Sequence, residues 1–292
     1  MSWPAGVVRT ARPKQWAKNV LVFAAPAAAG VLTEPAVLVR TGIAFVAFCL
    51  AASGTYFLND AMDAAADRIH PTKRNRPIAA GVISRPAAYV IAVGLMLAGL
   101  AVGFPVQNGR LTVVLAVYLV FTISYSLGLK REPVVELAMV AAGFVLRAVG
   151  GAVAANVGLS RWFLIVAGAG SLFVVAGKRI GELSQHGAAD GSSRSVLARY
   201  TPTFLRQVST ISAGVTVTAY CLWAFANAAQ HGDAAIWFEL SIIPFVVAIL
   251  RYALISDHGD AGAPEDVLLS DKVVVLFAVV WAALFGIGIS LG

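Results

Sequence analysis

Long apolar runs separated by short polar links make up most of the chain. Nine of them reach or approach the length that crosses a bilayer: roughly 19–33, 36–58, 87–105, 111–128, 134–155, 162–182, 207–229, 235–255 and 273–291. The pattern predicts an all-α integral membrane protein, a single polytopic domain over residues 1–292 with about nine transmembrane helices. The first run has a short apolar core, "VLVFAAPAAAGVL", that contains Pro26, so a half-span stays open there.

One stretch breaks the pattern. "YFLNDAMDAAADRIHPTKRNRPIAAG", residues 56–81, follows a run that is apolar apart from Arg40, then presents acid and then base. On a helix continuing from the second run, Asn59, Asp63 and Asp67 fall at i, i+4 and i+8, on one face and about 6 Å apart per step. Asp60 neighbours Asp63 at i+3. Three carboxylates and an amide crowded together repel unless a cation neutralises them. Oxygen-only ligands without His or Cys suit a hard ion such as Mg²⁺, which takes one or two carboxylates plus water and phosphate oxygens. The plainer account is a solvated turn whose acids pair with Arg68, Lys73, Arg74 and Arg76. The repeat along one face, with "HPTKRNRPIAAG" directly after it, favours a metal–phosphate site in which acids hold Mg²⁺ and Lys/Arg hold phosphate oxygens.

Composition agrees with a membrane protein: 59% of the 292 residues are hydrophobic, 13% are charged, and the mean hydropathy is +0.80. No apolar core followed by a small-residue cleavage site opens the sequence, so no removable signal peptide is expected. Cys49 and Cys221 lie within apolar runs and read as packing residues, and the four His are scattered. With nine spans and a cytoplasmic start, eighteen of the 22 Lys and Arg fall on the cytoplasmic side, while Arg40, Arg110 and Arg161 fall outside and Arg147 lies within a span. An eight-span count would reverse the later loops. The net charge of +7 is therefore one-sided, drawn to anionic headgroups, and is not a nucleic-acid signature.

"NDAMDAAAD" (Asn59, Asp60, Asp63, Asp67) resembles the first aspartate-rich motif, NDxxDxxxD, of the UbiA-type intramembrane prenyltransferase superfamily. The resemblance spans essentially the whole chain and implies a UbiA-like helical bundle with a polar active site at the cytoplasmic side. The family's second motif, a DxxxD stretch between spans six and seven, is replaced here by "GKRIGELSQHG", with Lys178, Arg179 and one acid, Glu182. Four further stretches, "ARPKQWAKN", "YSLGLKREPVVELAMVAAGFVLRAVGG", "GKRIGEL" and "PEDVLLSDK", are similar to the decaprenyl-phosphate phosphoribosyltransferase branch. That resemblance implies a Mg²⁺-dependent transfer from phosphoribosyl pyrophosphate (PRPP) to decaprenyl or another polyprenyl phosphate, in the cytoplasmic membrane.

The remaining candidates are weighed within that frame. Arg147, deep in an apolar run beside small residues, normally requires a polar cavity, and a PRPP phosphate contact is expected of it. Together with Asp63 it is the expected catalytic pair. Lys73 and Arg76 are expected to reach back over the metal. Lys14 and Lys18 flank Trp16, an interfacial anchor, and the resemblance raises them as phosphate contacts. Tyr56 stands one turn before Asp60, as a ribose or phosphate partner or as an interface residue. Lys130 and Lys178 are candidate substrate phosphate contacts, which positive-inside topology explains equally well. Arg194 and Arg199 close the site or solvate a loop. Asp257, Asp260, Glu265, Asp266 and Asp271 read as a solvated loop. Two other readings compete: a conventional prenyltransferase using a prenyl diphosphate, and a transporter of phosphorylated metabolites, which would need charge in both leaflets.

Overall fold

The computed structural model describes residues 1–186, 196–262, 267 and 270–291. Among these the chain is helical, without strands, and forms two compact units interleaved along the sequence. Among the described residues eight helical stretches are long and apolar enough to cross a membrane, which makes this a multi-pass membrane protein.

The first unit comprises Met1–Ala27, Val31–Lys130 and Leu146–Gly158. It holds α1 (Trp3–Ala11), a 3-10 helix (Pro13–Phe23) running into the short α2 (Ala24–Ala28), α3 (Pro35–Ile69), α4 (Arg85–Gly103), α5 (Arg110–Leu127) and the second half of α6 (Val135–Ala155). Pro35 opens α3 in its first turn, where a missing N–H costs nothing. Its 35 residues reach about 52 Å at 1.5 Å per residue, well beyond about 30 Å of hydrocarbon. The last three turns of α3, from Asn59 on, therefore extend past the apolar layer. α4 packs along α3 through small residues. A Cβ on Gly99 would lie 2.9 Å from the Ala47 carbonyl oxygen and 3.1 Å from the Ala51 nitrogen, so the two backbones touch there. Phe48, Phe57, Leu111 and Leu115 fill the core beside this seam.

The run expected at 19–33 takes a different form. Its helical part begins earlier, at Pro13, ends at Ala28, and is mostly 3-10. It does not count among the eight membrane-length stretches. The tighter helix rises faster, however. Eleven residues at about 2.0 Å and five at about 1.5 Å cover about 30 Å, the thickness of the hydrocarbon layer.

The second unit comprises Ala28–Gly30, Arg131–Val145 and Leu159–Gly292. It holds the first half of α6, then α7 (Arg161–His186), α8 (Pro202–Ala228), α9 (Ala235–Leu240), α10 (Ile242–Asp257) and α11 (Lys272–Leu291). Aromatic rings tie these together. Trp281 Nε1 donates to the Tyr220 hydroxyl at 2.6 Å, which lies 2.7 Å from Ser241 Oγ, and Phe238 and Phe285 pack edge to face. α11 is the most apolar helix, and only 17% of its hydrophobic window is inside the unit, so its flanks suit lipid.

The acidic stretch after α10 is not simply a solvated loop. Asp271 accepts the Val273 and Val274 N–H groups at 3.1 and 2.9 Å, capping α11, and takes the Arg251 guanidinium at 2.8 Å. Asp257 pairs with Arg206 at 2.8 Å on the surface. Glu265 and Asp266 lie outside the described residues. The hydrogen bond from Arg251, with the helix N–H groups behind it, lowers the Asp271 pKa to about 2. A depressed carboxyl stabilises the fold above its ordinary pKa, and that contribution is lost as pH falls from about 4 through 2. Asp271→Ala is accordingly expected to lower the thermal midpoint by a few degrees at pH 7 and to have little effect near pH 2, in thermal melts of detergent-solubilised protein.

Candidate active site

The emergent end of α3 carries the acids, and each is met by a cation from elsewhere in the first unit. Lys130, in the 3-10 turn after α5, places Nζ 2.8 Å from both carboxylate oxygens of Asp63 and 3.2 Å from Asn59 Oδ1. Arg76, just past the 3-10 turn Lys73–Asn75, bridges Asp60 Oδ1 at 3.1 Å and Asp67 Oδ2 at 2.8 Å. Arg12, at the head of the Pro13–Phe23 helix, adds a second contact to Asp60 Oδ1 at 2.7 Å and lies over the Tyr56 ring, 4.8 Å from its centroid.

These contacts divide the expected stripe in two. Asn59 and Asp63 share Lys130, whereas Asp60 and Asp67, seven residues or about two turns apart, share Arg76. Asp60 and Asp67 are buried, while the Asp63 side chain is 33% exposed. Among the described residues no three His, Cys, Asp or Glu side chains gather closely enough to hold a metal ion together. The four expected ligands are paired in twos, Asn59 with Asp63 and Asp60 with Asp67. Asn59 and Asp63 fit a divalent ion best. Three of their oxygens already converge on one positive atom, Lys130 Nζ, and a hard ion completes such a set with water and phosphate oxygens.

Of the other expected residues, Tyr56 lies beneath Arg12, and Lys73 stands part-buried in the turn before Arg76. Lys14 and Lys18 sit on the Pro13–Phe23 helix, Lys14 exposed and Lys18 donating to Gln15 Oε1 at 2.5 Å. Arg147 is not brought to the carboxylates. Its Nε donates to Asn19 Oδ1 at 2.6 Å and its NH2 to the Tyr118 hydroxyl at 3.1 Å, all three groups being buried. Asn19 in turn touches Cys49 on α3. Cys49 precedes Asp60 by eleven residues, about 16 Å along the helix. Arg147 was expected to contact a PRPP phosphate, and the structure sets it with Asn19 and Tyr118 at the level of Cys49 rather than beside the acids.

The stretch standing in for the second acidic motif lies in the second unit. Arg179 is almost fully buried and engages Glu136 through two hydrogen bonds of 2.9 and 2.6 Å, with Glu182 as a third contact. Lys178 is more exposed and lies 4.0 Å from Glu182. Arg199 meets the Arg131 carbonyl and, at 3.6 Å, Glu132, on the surface. Arg194 lies outside the described residues.

Membrane-length helices, one of them ending in a cluster of acids paired with Lys and Arg, define a polytopic membrane protein with a charge-paired polar site. The sequence model of the UbiA prenyltransferase family matches residues 20–270. A decaprenyl-phosphate phosphoribosyltransferase from Corynebacterium glutamicum is 47% identical over 94% of this chain and 84% of its own length. One from Mycobacterium tuberculosis is 47% identical over 99% of this chain and 95% of its own. A solved UbiA homolog from Archaeoglobus fulgidus bound to GPP and Mg²⁺ superposes with a TM-score of 0.69, covering 98% of this chain and 99% of that one at 16% identity. The chain belongs to the UbiA prenyltransferase family.

Arg12, Asn19 and Tyr118 were not among the expected site residues. Asn19 left a trace, as the polar residue that leads into an otherwise apolar run. Arg12 and Tyr118 left none, because their partners are 48 and 29 residues away.

Proposed function

We propose that the protein transfers the 5-phosphoribosyl group of PRPP to decaprenyl or another polyprenyl phosphate, giving decaprenylphosphoryl-5-phosphoribose and pyrophosphate, an early step towards cell-wall arabinan precursors. The observation that carries this reading is the match, at 47% identity over 99% of the chain, to a relative named decaprenyl-phosphate phosphoribosyltransferase.

The chemistry suits the residues. A phosphate oxygen of the lipid attacks C1 of the ribose as the bond from C1 to the pyrophosphate oxygen breaks, and that bonding pair leaves with pyrophosphate. The nucleophile is already ionised near neutral pH, so no general base is needed. Asn59 and Asp63 would hold Mg²⁺, which when bound neutralises charge on the leaving group. Lys130, released from Asp63, would then be free to meet a phosphate oxygen, Arg76 and Arg12 hold Asp60, and Lys73 in the turn before Arg76 would reach the same phosphates. Asp60 and Asp67 act in this reading by holding the two arginines in place. Lys14 and Lys18 face the lipid phosphate. Lys178 and Arg194 remain candidates for the pyrophosphate. The positive-inside balance supports a cytoplasmic site, with the 3-10 helix as a crossing that restores nine spans.

Purified protein incubated with Mg²⁺, PRPP and decaprenyl phosphate is expected to yield a lipid-linked phosphoribose detectable by mass spectrometry, and none when the metal is chelated. Absence of that product, together with prenylation of an aromatic acceptor when a prenyl diphosphate is supplied, would replace this reading with that of an ordinary prenyltransferase.

A further inference from the structure

We infer that Arg147 is a positioning residue. Through Asn19 it fixes the register of the Pro13–Phe23 helix against α3, and so fixes where that helix presents Arg12, Lys14 and Lys18. The roles of those three rest on the proposed function; the positioning itself does not.

The register argument begins with helix type. A 3-10 helix has three residues per turn, so Trp16, Asn19 and Val22 form one straight ridge. Each member of that ridge makes a directed contact inside the first unit. Trp16 Nε1 donates to Ser53 Oγ at 3.1 Å, and Ser53 donates onward to the Ala11 carbonyl at 3.1 Å. Asn19, fully buried, accepts from Arg147 and donates to Cys49 Sγ at 3.1 Å. At Val22 the backbone itself is the contact, since a Cβ on Gly151 of α6 would lie 1.7 Å from the Val22 carbonyl oxygen. With the ridge turned inward, Lys14 and Lys18 stand on the two remaining ridges.

Spacing explains why the segment is 3-10. Its contacts descend α3 in order, Arg12 to Asp60, Trp16 to Ser53 and Asn19 to Cys49. Cys49 to Asp60 is about 16 Å of α-helix. The seven residues from Arg12 to Asn19 cover about 14 Å as 3-10 helix but only about 10 Å as α-helix. Relaxation to the α form would pull Arg12 away from Asp60 or Asn19 away from Cys49. The Arg147–Asn19 bond is the inner anchor that opposes it. Arg147 also lies over the Tyr118 ring at 4.9 Å, which fixes the guanidinium on its other side.

The test combines hydrogen exchange and kinetics on the full-length protein in nanodiscs. In Asn19→Ala, and in Arg147→Lys, which keeps charge but loses the guanidinium fork, exchange across residues 13–23 is expected to rise about tenfold or more while α4 is unchanged. The KM for decaprenyl phosphate should rise with a smaller change in kcat, and Asn19→Asp, which keeps the acceptor for Arg147, should restore both. The double variant Asn19→Ala/Arg147→Lys should be little worse than either single one. If activity falls in Arg147→Lys while exchange over 13–23 stays at the wild-type rate, Arg147 touches substrate and the inference is overturned. Unchanged exchange and unchanged KM in Asn19→Ala would overturn it equally. Should Arg147→Lys fail to fold, Asn19→Ala carries both readouts. A wild-type protein inactive with PRPP would sink the proposed reaction and leave the exchange result standing.

Discussion

Asp63→Ala is expected to reduce phosphoribosyl transfer by about 100- to 1,000-fold or more, measured as initial rate of lipid product at saturating Mg²⁺. Both Asp63 oxygens and Asn59 Oδ1 point at one atom, Lys130 Nζ. Without the carboxylate a single neutral amide oxygen remains, too weak a ligand set for a hard ion. Lys130 also loses its charged partner. The fold should tolerate the change, because the Asp63 side chain is one-third exposed and its removal opens no core cavity. Asp67→Ala is the informative contrast. It breaks one arm of the Arg76 bridge and leaves Asp60 as the other, so its loss should be the smaller one. Activity of Asp63→Ala within tenfold of wild type would remove this pair from the reaction.

Glu136→Ala is expected to cost about 3–5 kcal/mol of stability, enough to lower expression and thermal midpoint sharply. Glu136 is fully buried and takes two hydrogen bonds from Arg179, whose side chain is only 3% exposed. Removing the acid takes away two of the hydrogen bonds that hold this guanidinium in the interior, while Glu182 still meets its other nitrogen. Replacing both members, as in Glu136→Leu/Arg179→Met, should recover much of the loss, because no buried charge then lacks a partner. Thermal melts of the single and double variants settle the point. A single variant that melts like wild type would mean that water or lipid headgroups reach Arg179.

The sequence pattern revealed the membrane class, all eight spans after the first and the acid-bearing extension of α3, because each depends on local periodicity. The i, i+4 spacing of Asn59 and Asp63 was legible for the same reason, and the two do share a partner. Partner choice was not legible. Arg147 was read as needing a polar cavity, and the need is real, but it is met by Asn19 128 residues away. Lys178 and Arg179 were read together as charge replacing the missing acids, yet Arg179 is committed to Glu136, 43 residues away. The Pro13–Phe23 segment was misplaced because apolar content alone does not distinguish an α-helix from a 3-10 helix. Its helix type is set by tertiary contacts on α3 and α6.

The continuity of α3 has one more consequence. Arg40 near one end holds the Ala154 carbonyl at 3.0 Å, and the polar stripe begins at Asn59. The eighteen residues between them form an uncharged rod of about 27 Å with no proline or break in it. A rod that reaches from one polar edge to the acids cannot change its length. The height of Asp63 above the lipid is therefore set by the bilayer in which the rod sits. Thicker acyl layers would draw the carboxylates down among the headgroups, and thinner ones would lift them into water, away from the phosphate of a lipid substrate. Acyl-chain length is thus a control variable for this site, acting through a ruler built into α3 itself.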